Sequence, residues 1–119
     1  MELARNLRKD SVSRLNPAPA LSVERGSTVA DAVSLMRKEN AGCVLVCDSG
    51  QLVGLFTERD LMRRVLAVGK ALTISVADVM TPDPLTILPR DPIRIAVRRM
   101  EEGGHRHLPV VDDSNRPLG

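Results

Sequence analysis

A shift of 64 positions lays the first half of this chain on the second: Leu21 falls on Leu85, Ala32 on Ala96, Val33 on Val97, Met36 on Met100, Val46 on Val110 and Asp48 on Asp112. A chain of 119 residues has room for one modest core. Two halves of that size must share their apolar burial. Whatever unit the repeat encodes is therefore built twice and joined through its apolar faces.

The identities sit where such a unit needs them. Val29, Ala32, Val33 and Met36 have i, i+3, i+4, i+7 spacing, and Ile93, Ala96, Val97 and Met100 repeat it, so each half predicts one amphipathic helix. Thr28 with Asp31 three residues on predicts a cap for the first helix. Asp91 followed by Pro92 predicts a cap and a first-turn residue for the second. Glycine-bearing stretches at 40–42 and 103–104 close both. Apolar runs at 43–47 and 108–111, each ended by an aspartate and a polar turn, predict buried strands. A second strand over 51–57 leads into a helix over 58–68, with Leu61, Met62, Val65 and Leu66 as its stripe and Gly69 as its stop.

Before each long helix stands a short extended segment, 20–23 and 85–88, and before each segment a proline pair: Pro17 and Pro19, then Pro82 and Pro84. Proline forbids helix there and leaves backbone carbonyls unpaired. Residues 75–80 predict a short joining helix capped by Ser75 with Asp78 at the third position. Each half thus reads β-α-β-β-α, an α/β (α+β) fold of two repeats packed about a pseudo-twofold axis. One module spans 11–69 and the other 75–119, with 1–10 as an N-terminal leader or helix. Gly119 matches Gly54 at a shift of 65, so the second repeat is expected to be incomplete, without its last helix and without a second ligand site.

Composition narrows the function. Phe56 is the sole aromatic residue, so the core is aliphatic and the stacking platforms of single-strand binders are missing. A formal net charge of +2 gives no strong field toward nucleic acid or lipid. Cys43 and Cys47 on one strand stand roughly 13 Å apart at about 3.3 Å per residue, too far for a mutual disulfide or a shared metal. Free thiols, no apolar run of membrane-spanning length and no apolar signal core in 1–10 predict a cytoplasmic protein with no membrane partner.

The repeat period, the element order and two phrases carry a resemblance: Gly54-Leu55-Phe56-Thr57-Glu58-Arg59-Asp60 and His107-Leu108-Pro109-Val110-Val111-Asp112. Together they resemble the cystathionine-β-synthase-type (CBS) domain pair, or Bateman module, over about nine-tenths of the chain. The resemblance implies regulatory, non-catalytic binding of AMP, ADP, ATP or S-adenosylmethionine in clefts between modules. It also implies homodimers packed through helices and an effector protein or domain under control, with no required cofactor or metal.

The chemistry of Thr57-x-x-Asp60 suits such a ligand. Thr57 stands where a strand becomes a helix, a place for an anion, and an ionised Asp60 accepts hydrogen bonds and can take both hydroxyls of a ribose. Glu58 lies between them. By resemblance Thr57 and Asp60 serve the phosphate side and the ribose, and Arg106 and His107 hold phosphate. Pro17, Ala18 and Pro19 line the adenine edge. The same residues admit plainer readings: Thr-x-x-Asp is also a variant capping box, Arg106 and His107 can be a solvated edge, and paired prolines can do no more than set a strand's direction.

Three other functions have some footing in the sequence. A structural dimerisation module without ligand fits the incomplete second repeat. An enzyme would use Cys43 or Cys47 with His105 or His107, with no oxyanion hole or orienting carboxylate in view. A nucleic-acid binder would rest on Arg59, Arg63, Arg64, Arg98 and Arg99, which read as solvated helix faces.

Overall fold

A computed structural model describes residues 11–104 and 106–119. The expected leader 1–10 and His105 lie outside the described residues. The chain divides into two compact units: Ala20–Pro84, and 11–19 together with Leu85–Gly119. The proline-bearing segment ahead of the first repeat thus goes with the second unit, and the one ahead of the second repeat goes with the first.

In the first unit, strand β1 (Ser22–Glu24) leads through helix α1 (Val29–Lys38) to strand β2 (Cys43–Asp48), which lies parallel to β1. Strand β3 (Gln51–Thr57) returns antiparallel to β2, and the short strand β4 (Thr81–Pro82) adds antiparallel to β3. The sheet order is β1-β2-β3-β4. Ser49 and Gly50 turn the β2–β3 hairpin with φ of 53° and 84°, the left-handed pair whose twist matches the flanking strands.

Helix α1 starts as expected. Thr28 accepts from the Asp31 amide and Asp31 accepts from the Thr28 amide, both at 3.1 Å, a reciprocal capping box. Its end comes earlier than the glycine of 40–42: Asn40 takes the left-handed φ of 51°, and the Ala41 amide reaches back to the Met36 carbonyl. Val29, Ala32 and Met36 are buried against Val44 and Val46 of β2, Phe56 of β3, and Val65, Val76 and Val79. Val33 and Leu35 pack at the margin of that core.

The expected helix over 58–68 is present in altered form. Helix α2 (Glu58–Asp60) passes at once into a π-helical stretch, Leu61–Leu66, with the Ala67 amide bonded to the Met62 carbonyl and the Lys70 amide to the Val65 carbonyl. Five-residue hydrogen-bond spacing changes which side chains share a face. Asp60 and Val65, five apart, are both buried, while Met62 and Leu66 of the expected apolar stripe are exposed. The joining helix is also smaller than expected, a 3-10 turn at Val76–Asp78. Ser75 does not cap it, because its hydroxyl donates across the unit to the Arg25 carbonyl at 2.7 Å.

The second unit holds a 3-10 turn (Val12–Leu15) and helix α3 (Ile93–Gly103), closed by Gly104 with φ 64°. Val12, Ile87, Ala96 and Val110 are its buried cluster, with Ile95 and Leu108 packed on them. Asp91 does not cap α3. Pro92 holds that place, and the Asp91 carboxylate instead accepts from the Leu88 amide at 2.9 Å and faces Arg99 at 3.9 Å. The expected strands at 85–88 and 108–111 are reduced to single bridges, Ile87 with Val110 in parallel and Val111 with Pro117 antiparallel. The register nevertheless repeats: Val23 pairs with Val46 in the first unit and Ile87 with Val110 in the second, each partner displaced by 64. Val46 pairs with Gly54, and Val110 exchanges backbone hydrogen bonds with Gly119, displaced by 65 at the glycine.

Candidate functional site

The end of β3 gathers the polar groups of the first unit. Thr57 closes the strand and stands as N-cap of α2, its hydroxyl accepting from the Asp60 amide at 3.1 Å. The Thr57 amide donates to Asp60 Oδ2 at 3.0 Å, and the Thr57 hydroxyl lies 3.2 Å from the same oxygen. The capping box weighed as the plain reading of Thr-x-x-Asp is therefore formed.

Asp60 does more than cap. It is 6 % exposed, the buried charged side chain among the described residues. A carboxylate leaves water at a large cost unless its oxygens are bonded. Here Oδ2 is held by Thr57, and the Thr81 hydroxyl of β4 donates to both oxygens, at 3.2 and 3.3 Å. Arg64 completes the group, its Nε 3.6 Å from Oδ1 and its Nη1 bonded to the Met80 carbonyl at 2.7 Å. Oδ2 takes both Thr57 contacts and the longer of the two Thr81 contacts, whereas Oδ1 takes the shorter Thr81 contact and the ion pair with Arg64.

Two of these residues were not singled out from the sequence. Arg64 was counted with the solvated arginines, although its i, i+4 spacing from Asp60 was a usable sign. Thr81 carried no sign at all, because its approach to Asp60 depends on β4 pairing with β3, Leu55 opposite Thr81 and Gly54 opposite Pro82. Gly54 makes that approach possible: a Cβ there would overlap the Met80 Sδ.

The other expected site residues fall elsewhere. Glu58 is exposed, and its amide donates to the Gly42 carbonyl at 3.1 Å. Pro17, Ala18 and Pro19 are exposed in the second unit, with the Ala18 carbonyl and Pro17 Cβ lying 2.7 and 3.0 Å from where a Cβ on Gly119 would stand. Arg106 and His107 are exposed in the same unit, just ahead of Leu108.

Both thiols are shifted away from the thiolate. Both cysteines are free, and burial raises the Cys43 thiol above its usual range. Burial also raises Cys47, with the nearby Glu24 carboxylate adding to it and a hydrogen bond from Ser22 opposing. An active thiol needs the opposite shift. Among the described residues no His, Cys, Asp and Glu group could hold a metal ion, and no helix is long and apolar enough to cross a membrane.

A β-α-β-β unit followed by a capped helix, begun again one period later in the same register, defines a tandem module. The CBS domain family model matches residues 3–67 and again 76–119, and the chain belongs to that family. It is 42% identical over 94 residues to the meiotically up-regulated gene 70 protein of Schizosaccharomyces pombe, which covers 78% of this chain and 13% of that protein. It is 32% identical over 94 residues to CBS domain-containing protein YhcV of Bacillus subtilis, covering 79% and 67% respectively. The chain spans 13 to 20% of the length of the first curated relatives it matches. Among solved structures, CBS domain protein PAE2072 from Pyrobaculum aerophilum complexed with AMP superposes with a TM-score of 0.85 at 23% identity, over 92% of this chain and 84% of that one. The CBS domain pair of protein MJ0100, in complex with 5′-methylthioadenosine and S-adenosyl-L-methionine, gives 0.83 at 24%, over 92% and 89%. These likenesses establish the fold.

Proposed function

We propose that this chain is a regulatory module that binds an adenosyl ligand, one of AMP, ADP, ATP or S-adenosylmethionine, and performs no catalysis itself. The observation that carries the reading is Asp60. A buried carboxylate whose Oδ1 carries fewer contacts than its Oδ2 is a pre-positioned acceptor for ribose hydroxyls, and acceptor chemistry is what separates a nucleoside from free phosphate. Thr57 and Glu58 stand beside it at the start of α2. By family pattern, Arg106 and His107 supply phosphate contacts and Pro17, Ala18 and Pro19 supply adenine contacts. The structures of relatives holding AMP, or 5′-methylthioadenosine and S-adenosylmethionine, support the ligand class. The module acts on an effector protein or domain, and its free thiols suit the reducing cytoplasm.

A second reading, a dimerisation module, has its own support. Met62, Leu66, Val68 and Leu72 are exposed on the stretch that follows Asp60, an apolar run that a second copy of the chain would cover.

One screen separates the two. Thermal shift with AMP, ADP, ATP and S-adenosylmethionine raises the melting temperature for at least one of them if the module binds adenosyl ligands, because a ligand that binds only the folded form stabilises it. No shift with any of the four, together with a concentration-dependent dimer in sedimentation, selects the dimerisation reading. Charge reversal at Arg106 is expected to weaken ATP more than adenosine; equal losses remove it from the phosphate.

A further inference from the structure

The family pattern places the ligand's ribose on Asp60 and says nothing of what holds Asp60. The structure adds two residues with that task, both drawn from the first unit. The Thr81 hydroxyl lies 3.2 Å from Oδ1 and 3.3 Å from Oδ2, so its single hydrogen is shared between the two oxygens of the carboxylate. Arg64 links Oδ1 to the Met80 carbonyl, one residue before Thr81. Thr81 is itself fixed by the sheet, with Leu55 opposite it and Gly54 opposite Pro82, and by the Asp83 amide on the Val53 carbonyl at 3.1 Å.

We propose that Thr81 is a positioning residue for Asp60: its hydroxyl holds the Oδ1 edge of the carboxylate at the angle a ribose diol requires, with Arg64 bracing the backbone behind it. Three features of the geometry support this. Thr57 fixes only Oδ2, so without Thr81 the Oδ1 edge keeps the 3.6 Å ion pair with Arg64 and no hydrogen bond of its own. The segment carrying Thr81 is held tightly on β3, because a side chain at Gly54 would displace Met80. The Thr81 hydroxyl can also stay in place when a ligand arrives, since a hydroxyl both donates and accepts and can take a hydrogen bond from the incoming ribose while keeping Asp60. The repeat offers a contrast: at a shift of 64 Thr81 corresponds to Pro17, which has no hydroxyl to give.

This inference rests on Asp60 being the ribose acceptor, and its test is arranged so that either can fail alone. The full chain is titrated by calorimetry with AMP and with 2′-deoxy-AMP, as wild type, Thr81→Val and Thr81→Ser. Thr81→Val keeps the shape and β propensity of the residue and removes the hydroxyl; Thr81→Ala serves if the valine variant does not fold. The expected result is a loss of AMP affinity on the order of tenfold in Thr81→Val, the scale of one hydrogen bond to a charged group. Preference for AMP over 2′-deoxy-AMP should shrink with it, and Thr81→Ser should restore both. An unchanged AMP affinity, a tighter one, or an equal loss for both nucleotides overturns the positioning role. If wild type binds no adenosyl ligand, the functional reading fails. The positioning role is then decided by hydrogen exchange at the Thr57 amide, which donates to Asp60. Faster exchange in Thr81→Val supports it, and an unchanged rate overturns it.

Discussion

The two units carry one pattern to different degrees of completion. In the first, the parallel pair Val23 and Val46 is one rung of a four-stranded sheet; in the second, the same rung, Ile87 and Val110, stands as an isolated bridge. Among the described residues, the first has nine buried apolar residues in its cluster, Phe56 among them, while the second has four. The first helix begins with a reciprocal box at Thr28 and Asp31; the second begins at Pro92, with no side-chain cap. The lesson is that the register of a repeat survives where its packing does not. A single rung is set by which backbone groups face each other, and a sheet needs enough apolar side chains to cover it.

Substitutions can break this comparison or refine it. The largest effect is expected at Phe56, fully buried at the centre of the first unit. Phe56→Ala should cost about 3–5 kcal/mol in urea unfolding, and Val46→Ala should cost more than Val110→Ala, the same deletion at the matching position of the second unit. Equal costs would mean the two clusters support the fold alike. Next is Gly54→Ala, whose added methyl meets Met80. It should destabilise by about 1–3 kcal/mol, and the double variant with Met80→Ala should lose less than the sum of the two, because the clash is shared.

Smaller effects separate the helix starts. Thr28→Ala should cost about 1 kcal/mol through the lost cap. Pro92→Ala removes no side-chain hydrogen bond, so a larger loss there would reverse the contrast. The smallest effect is pH-dependent and confined to the first unit. Burial raises the Cys43 and Cys47 thiols, so the folded chain keeps its protons at a pH where the unfolded chain has begun to release them. Their contribution is complete below about pH 8.5, the usual thiol value, and falls as pH rises through the raised folded values. Unfolding midpoints measured from pH 7.5 to 10 should decline less in a Cys43→Ala, Cys47→Ala double variant.

Much of this was legible in the sequence because it is local. The α1 stripe, the box at Thr28 and the two strands on either side of the polar turn after Asp48 each depend on residues a few positions apart. The candidate site was half legible: Thr57 and Asp60 declare themselves by spacing, while Thr81 arrives from 21 residues away. The misses have the same origin. Asp91 looked like a cap until the Leu88 amide and Arg99 claimed its carboxylate, and Ser75 looked like one until the Arg25 carbonyl took its hydroxyl. Polar side chains with two possible partners are settled by tertiary packing, which periodicity does not report. The stripe Leu61, Met62, Val65 and Leu66 missed for a different reason, since it assumed 3.6 residues per turn.

That departure from ordinary winding bears on how this chain tolerates change in length. The loops of a module can gain or lose a residue at small cost, as the added position between Asp112 and Gly119 illustrates. The stretch Leu61–Leu66 works the other way: its wide turn already holds one residue more than a regular helix would need to join Asp60 to Val65. Inserting a further residue there would carry Val65 off the face it shares with Asp60 by roughly 100°, the arc of one helical residue, whereas deleting one would return the coil to regular winding with the two residues four apart.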